Sequence, residues 1–300
     1  MGKSSEEFPD LPFDVPLLSA KPIESKYAPY QGHVWTKNKA ALIARYLRHF
    51  LFVTKGACYI DAFAGHQREE SHTSTWAAKL ALEQCAPDRL RRVYLFEKDP
   101  AKIHALNLLK KQHDQGWTKL STRKVEVIEG DSNVTISEYF NKLPLKQNLA
   151  TFCLLDQWTR ECDWETVRYI SKLKSKNKAE IFYFLAQGWM DRSWNNLGAR
   201  NQHRIAAWWG NKDWLAFSKL KSFERARVME VRFKRELGYC YAQAFPIHKY
   251  GNHGRVMFWM IHASDDQRAV PLMAKAYREI GLGIPFNEEQ MVWNNCFEFD

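Results

Sequence analysis

The first regular pattern of apolar residues along the chain has helical spacing. Apolar side chains recur at intervals of three and four residues in the segment that begins at Thr36, and Thr36 is placed to cap a helix there. The apolar positions are Leu42, Ile43, Tyr46, Leu47 and Phe50. Residues 1–34 are rich in proline, serine and charge, and their prolines prevent a long helix. We therefore expect an irregular arm over 1–34 and a helix after it.

Short apolar runs then alternate with segments of helix length. Five runs have the length and composition of buried strands: 57–63, 93–97, 125–130, 150–156 and 179–186. The segments between them predict helices over about 73–85, 99–113, 133–141 and 162–173. Strands that are apolar on both faces and separated by helices are typical of a parallel sheet covered on each side. The sequence therefore predicts an α/β fold.

The alternation ends after the fifth strand. Residues 187–211 are rich in Trp, Asn, Arg and Gly, and a long basic amphipathic helix is predicted over about 213–237. Two strands, 241–248 and 256–263, follow around a glycine-containing turn, and a last helix covers about 265–280. This order predicts a class I methyltransferase (Rossmann-like) sheet with helices on both faces and a terminal antiparallel hairpin. We expect one domain over 35–283, with a helical insertion at 187–237 and a tail at 284–300.

The end of the first strand is the first candidate for ligand binding. In open α/β sheets a ligand binds beyond the carboxyl ends of the strands, where the strand order reverses. The strand ends at Asp61, and the small residues after it let the backbone approach a ligand. We assign Asp61, Ala62, Phe63 and Gly65 to a cofactor site.

Acidic residues also close the next two strands. Glu97 is placed to bind both ribose hydroxyls of an adenosine, with Lys98 beside it, and Asp131 is placed to contact the adenine amine. Each acid alone is equally consistent with a helix cap. The stronger signal is that four successive strands end in an acid at one edge of the sheet.

The fourth strand ends at Asp156, which is our candidate catalytic residue. Its carboxylate and the next carbonyl would accept hydrogen bonds from an exocyclic amine, and Trp158 would stack on the base that carries it. The alternative for Trp158 is an ordinary place in the core.

Six segments of this sequence resemble a known family. They are WTKNKAALIARYLRHF (35–50), CYIDAFAG (58–65), FEKDP (96–100), EVIEGD (126–131), LLDQW (154–158) and GRVMFWMIHAS (254–264). Together they resemble the three-Cys-motif partner proteins of bacteria and phages, from about Trp35 to about Leu282. The resemblance implies a class I methyltransferase fold, an S-adenosylmethionine site and a partner protein.

The sequence departs from that family at two places on the catalytic side. Family members read DGFAGPG at the first strand and then Gly-Ser-Pro, whereas this chain has Gly65-His66-Gln67 and Thr73-Ser74-Thr75. The family's Asp-Pro-Phe-Gly becomes Asp156-Gln157-Trp158-Thr159. Either the substrate or transferred group differs, or the protein binds without turnover.

Positive charge is concentrated in one part of the chain. The net charge is +10, and residues 160–236 contain 17 Lys and Arg against 9 Asp and Glu. Such a basic face often binds a polyanion, so we assign Lys221, Arg225 and Arg232 to nucleic-acid binding. The alternative is a solvated surface that keeps the protein in solution.

Tryptophans cluster in the insertion among arginines and lysines. Aromatic faces interleaved with Arg suit stacked single-stranded bases, whereas the same residues would also form the small core of a helical lid. They are Trp189, Trp194, Trp208, Trp209 and Trp214.

Other features of the sequence limit the classes of protein to which the chain can belong. No apolar run is long enough to cross a membrane and the first residues lack a secretory pattern, so we expect no membrane association and a cytoplasmic location. The six cysteines form no CxxC pair, so we expect buried thiols and no metal site. The leading function is S-adenosylmethionine-dependent methylation of a nucleic acid or nucleotide. The alternatives are a catalytically silent binding subunit of a partner enzyme and a small-molecule methyltransferase.

Overall fold

A computed structural model describes residues 34–66, 75–86, 89–115, 123–193 and 199–282. Several sequence predictions fall outside these ranges. They are the arm up to residue 33, the domain's last residue 283, the tail at 284–300, Gln67, Thr73, Ser74, Trp194 and Cys296.

Seven strands and ten helices are present in the described residues. The strands are β1 (Ala57–Asp61), β2 (Leu90–Glu97), β3 (Lys124–Glu129), β4 (Ala150–Leu155), β5 (Glu180–Leu185), β6 (Tyr241–Tyr250) and β7 (His253–Ser264). The first five helices are α1 (Val34–Thr54), α2 (Ala77–Gln84), α3 (Pro100–Gln115), α4 (Ser132–Lys142) and α5 (Trp164–Ser171). The others are α6 (Gln187–Ser193), α7 (Ala199–Trp209), α8 (Trp214–Lys219), α9 (Ser222–Arg235) and α10 (Ala269–Glu279).

The strands form one sheet in the order β3-β2-β1-β4-β5-β7-β6. The first five strands are parallel, β7 is antiparallel to β5, and β6 pairs with β7 as an antiparallel hairpin. This arrangement confirms the predicted class I methyltransferase fold. Chain progression reverses between β1 and β4, so the crevice for a ligand lies at the carboxyl ends of these two strands.

Helices cover both faces of the sheet, and each face has its own hydrophobic core. Alternate residues of a strand point to opposite faces, and on β4 Phe152 and Leu154 join one core while Cys153 and Leu155 join the other. The first core packs against α1, α2, α3 and α10, and the second against α4, α5, α7, α8 and α9. This two-sided burial explains why the strand segments read as continuous apolar runs.

Four cysteines confirm the expectation of buried thiols, and one contradicts it. Cys58, Cys85, Cys153 and Cys162 are buried, and burial raises the pKa of their thiols. Cys240 is exposed because it lies in the turn before β6.

Two local predictions were wrong. Helix α1 begins at Val34, so Thr36 lies inside it and does not cap it. The predicted helix over 213–237 is two helices, because Leu220 and Lys221 have extended backbones that separate α8 from α9. The Lys221 N–H donates to the Glu224 carboxylate at 2.6 Å, which starts the second helix.

Among the described residues, no helix combines the length and apolar character required to cross a membrane.

Candidate functional site

The carboxylate of Asp61 is buried at the end of β1. Oδ2 accepts the hydroxyl of Tyr59 at 2.8 Å, and Oδ1 accepts the Phe63 N–H at 3.1 Å. Burial, together with smaller effects of the negative charges of Asp156 and Glu97, raises the pKa of Asp61 to about 7, against the lowering effect of these hydrogen bonds. Asp61 therefore stabilises the turn after β1, and its carboxylate is buried.

Glu97, at the end of β2, connects the turn after β1 to the start of α3. Its Oε2 accepts the Gly65 N–H at 2.9 Å, and its Oε1 accepts the N–H groups of Lys98 at 2.9 Å and Asp99 at 3.0 Å. A carboxylate has about four acceptor positions, so three backbone donors leave capacity for a ligand hydroxyl. Glu97 is thus held in one orientation at the edge where the sequence predicts the ribose.

Gly65 has to be a glycine for this contact. A Cβ at this position would overlap Glu97 Oε2 and would stand 2.5 Å from Lys102 Cδ. The Gly65 backbone approaches the Glu97 carboxylate this closely because Gly65 has no side chain. In this conformation the Gly65 N–H points to Glu97.

Asp131 is both a helix cap and an exposed carboxylate. Its Oδ1 accepts the Asn133 N–H at 3.0 Å and so caps α4, as the alternative interpretation of the acids predicted. Its Oδ2 lies 3.8 Å from the exposed ammonium of Lys98. The cap fixes the side chain at the end of β3, on the same edge as Glu97.

The residues between Asp61 and Gly65 are fixed by contacts from three directions. The Ala62 N–H donates to the Leu154 carbonyl at 3.1 Å, and the hydroxyl of Ser132 donates to the Ala62 carbonyl. The indole of Trp76 donates to the Ala64 carbonyl at 2.6 Å, and the His66 ring packs edge-on against Trp76 with centroids 5.6 Å apart. His66 is therefore packed at the end of this turn.

Asp156, just beyond β4, forms an ion pair with a lysine from α1. Lys39 Nζ lies 2.6 Å from Asp156 Oδ1, and the two side chains are 2% and 10% exposed. The same ammonium stands 4.6 Å from the Phe258 ring centroid and 5.3 Å from that of Phe184. The candidate catalytic acid is therefore paired with a buried cation.

The two residues after Asp156 point in different directions. Gln157 is buried, donates to the Phe184 carbonyl at 3.3 Å and accepts the Cys162 N–H at 3.1 Å. Trp158 is 45% exposed, so the alternative that placed it in the core is wrong. Its ring packs edge-on against Trp189, which in turn contacts Phe258, and these three rings form an aromatic wall beside Asp156.

The sequence analysis missed Lys39, although a signal was present. Lys39 precedes Ile43 by four residues and Tyr46 by seven, so it lies on the apolar face of α1. A lysine in such a position is buried only if it has a partner. The sequence could have marked Lys39 as a buried cation, but only the fold identifies Asp156 as its partner.

Comparisons with solved structures find methyltransferase-fold proteins of low similarity. The chain is similar to the TYW2 protein of M. jannaschii, solved with AdoMet, at 13% identity and a TM-score of 0.40 over 79% of this chain and 77% of the other. It is also similar to spermidine synthase from Thermotoga maritima, at 13% identity and a TM-score of 0.42 over 87% and 71%. No protein-family profile matches the chain, and no curated protein sequence matches it. The fold therefore rests on the strand order described above.

Two of the three residues assigned to nucleic-acid binding are buried. Arg225 is 5% exposed, and its guanidinium donates to the Ser218 carbonyl at 2.8 Å, near the end of α8. Arg232 is 2% exposed and is sandwiched between the rings of Trp164, at 3.8 Å, and Trp209, at 4.0 Å. The apolar environment and these partners hold both guanidinium groups inside the protein, so the assignment of these two residues to a surface is corrected. Lys221 is exposed.

The tryptophans of the insertion divide between the two interpretations. Trp208, Trp209 and Trp214 are buried in the second core, as the lid-core alternative predicted. Trp189 is partly buried against the first core and belongs to the aromatic wall. The exposed cations of the insertion include Arg204, Lys212, Lys219 and Lys221.

Proposed function

We propose that this protein binds S-adenosylmethionine in the crevice between the ends of β1 and β4 and transfers its methyl group to a nucleic acid or nucleotide. The observation that carries the proposal is the position of Glu97. Its carboxylate is held by three backbone N–H groups at the end of β2, one strand from the point where the strand order reverses. This is where a nucleoside ribose is bound in nucleotide-binding sheets.

The charges around the crevice fit this cofactor. S-adenosylmethionine carries a sulfonium and an ammonium against one carboxylate, so acidic surroundings favour its binding. Glu97, whose negative charge raises the pKa of Asp61, is an acid of this kind at the end of β2. Asp131, half exposed at the end of β3, supplies an acceptor for the adenine amine. When bound, the cofactor supplies an activated methyl group.

The acceptor side of the crevice fits a nucleotide. Trp158 stands exposed beside Asp156 and is backed by Trp189, which gives a flat apolar surface on which a base can stack. Asp156 is the hydrogen-bond acceptor at the point where the reacting group would lie. The exposed cations of the insertion would contribute phosphate contacts.

The motifs that resemble those of the three-Cys-motif partner proteins add one part to the proposal, which is that the protein works beside a partner protein. This part rests on the sequence resemblance. The cytoplasmic location stays a prediction from the sequence.

Calorimetry with S-adenosylhomocysteine tests the cofactor. The wild type is expected to bind, and Glu97→Ala to weaken binding by about 1.5–3 kcal/mol, as when hydrogen bonds to a charged group are lost. Glu138→Ala is the matched control, because Glu138 is an exposed acid on α4. No binding by the wild type at millimolar ligand would refute the proposal.

A transfer assay tests the reaction. Label from S-adenosylmethionine should pass to an acceptor in RNA, DNA or a cell extract, and Asp156→Ala should abolish transfer while cofactor binding is kept. One observation favours the silent binding subunit as a second candidate: the Gly65 N–H is turned onto Glu97 and does not point to a ligand. Cofactor binding without any transfer would establish that second candidate.

A further inference from the structure

The buried ion pair between Lys39 and Asp156 limits what the acceptor can be. Lys39 comes from the first turns of α1 and Asp156 from the end of β4, and their charged atoms are 2.6 Å apart. The lysine side chain is almost fully buried, and it lies at a position where α1 otherwise carries apolar residues. From this pair we infer that the methyl acceptor is a hydroxyl oxygen and that Lys39 is the positioning residue for it. The inference rests on the proposed function and deepens it.

A stabilising role does not account for the lysine. Replacing a buried ion pair by apolar residues of similar volume is often neutral or favourable for stability, because desolvation of the charges offsets their attraction. The surroundings here include the rings of Phe184 and Phe258, against which an apolar side chain could also pack. The ammonium is instead placed at the strand end where the reaction would occur.

The charge of Lys39 distinguishes between acceptor atoms. A group hydrogen-bonded to Asp156 would stand roughly 5 Å from the ammonium, the span of two hydrogen bonds in series. An amine that attacks with its lone pair gains positive charge, which the ammonium repels. A hydroxyl that releases its proton gains negative charge on oxygen, which the ammonium stabilises. The pair therefore favours oxygen over nitrogen, and it replaces the amine acceptor that the sequence analysis expected.

In the methyl transfer, Asp156 accepts the proton of the acceptor hydroxyl. The acceptor oxygen forms a bond to the methyl carbon of the sulfonium donor while its proton passes to the Asp156 carboxylate. The bond between methyl carbon and sulfur breaks, its electron pair stays on sulfur, and the sulfonium becomes a neutral thioether. Asp156 then returns the proton to water. Lys39 keeps one carboxylate oxygen fixed throughout and stabilises the negative charge on the acceptor oxygen.

The test compares Lys39→Met with Lys37→Met, since Lys37 is an exposed lysine on the same helix. Calorimetry comes first. S-adenosylhomocysteine should bind wild type and both variants within about twofold, because Lys39 faces the acceptor and not the nucleoside. If Lys39→Met does not fold, the neutral pair Lys39→Met with Asp156→Asn replaces it, since no charge is then left unpaired.

Acceptor binding is measured without turnover. A fluorescent pool of single-stranded RNA 12-mers and its 2′-fluoro counterpart, which lacks the hydroxyl, are titrated into the protein saturated with S-adenosylhomocysteine. The wild type and Lys37→Met should prefer the hydroxyl-bearing RNA by about tenfold to a hundredfold, as for a hydrogen bond to a charged group. Lys39→Met should show a smaller preference for the hydroxyl-bearing pool, because Asp156 remains but its carboxylate is no longer fixed by the ammonium. Equal binding of both pools by the wild type would overturn the inference.

Analysis of the methylated product is the second test of the acceptor atom. Labelled methyl groups transferred to cellular RNA or DNA are located after digestion to nucleosides. Label on a ribose oxygen supports the inference, whereas label on a base nitrogen or carbon overturns it, and so does cofactor binding without transfer. Failure of the wild type to bind S-adenosylhomocysteine at all would instead refute the proposed cofactor, which keeps the two failures distinct.

Discussion

The backbone N–H of Gly65 donates to Glu97 Oε2 at 2.9 Å, and this bond joins the turn after β1 to the end of β2. The position of the predicted ribose ligand therefore depends on a residue 32 positions earlier in the chain. The Trp76 indole, which donates to the Ala64 carbonyl, fixes the same turn from the other side.

Gly65→Ala should weaken S-adenosylhomocysteine binding about tenfold or more. The new methyl group would overlap Glu97 Oε2 and Lys102, so the carboxylate has to leave its place. Calorimetry on Gly65→Ala, Glu97→Ala and the double variant checks this. Because Gly65 acts through Glu97, the two losses should be strongly non-additive. Additive losses would contradict the coupling.

Asp61 should make the stability of the wild type fall as the pH rises from about 4 to about 7. Its pKa is raised to about 7 in the fold and is near 4 in the unfolded chain, so over this range the folded state holds the extra proton. Because the unfolded chain has already released this proton and the folded chain has not, rising pH favours the unfolded state by up to about 1.4 kcal/mol per pH unit. Below pH 4 and above pH 7 this contribution is constant.

Urea unfolding of Asp61→Asn at several pH values measures this contribution. The variant should show a smaller decline in the free energy of unfolding between pH 4 and 7 than the wild type. Asp213→Asn, a change at an exposed acid before α8, should keep the wild-type decline. An unchanged pH dependence in Asp61→Asn would show that other groups cause it.

Arg232→Met should destabilise the fold, whereas Lys221→Met should not. The Arg232 guanidinium lies between Trp164 and Trp209, and its Nε is 2.5 Å from Glu236 Oε1. Removing one partner of a mostly buried pair costs about 3–5 kcal/mol, although half-buried Glu236 recovers some solvation and lowers this figure. Thermal unfolding compares the two variants, and a loss below about 0.5 kcal/mol for Arg232→Met would contradict a structural role.

Nucleic-acid affinity should fall log-linearly with salt if the exposed lysines of the insertion contact phosphates. Lys219→Ala with Lys221→Ala removes two such charges and should reduce the slope of the salt dependence by about 1.4 for single strands. Lys111→Ala with Lys142→Ala, two exposed lysines on α3 and α4, is the matched control. An unchanged slope in the first variant would favour the solvated-surface alternative.

Much of the fold was predictable from the sequence because buried parallel strands have a local signature. The apolar runs at 57–63 and 150–156 contain β1 and β4, since residues buried on both faces leave no polar alternation. The acids near the ends of these runs, Asp61 and Asp156, were predictable from the same local pattern. The break between α8 and α9 was missed because the amphipathic pattern continues across Leu220 and Lys221, while the turn depends on a hydrogen bond from Lys221 to Glu224.

The sequence by itself determined the order of the elements, the edge of the sheet at which Glu97, Asp131 and Asp156 lie, and the excess of positive charge. These follow from local patterns and from the chain direction of parallel strands. Only the tertiary structure decided which charged side chains are accessible to a ligand. Arg232 is buried between two indoles and Lys39 reaches Asp156 across 117 residues, because burial and pairing depend on contacts between segments far apart in the chain. The sequence gives the position of a charged residue along the chain, but it does not show which residues bury it or pair with it.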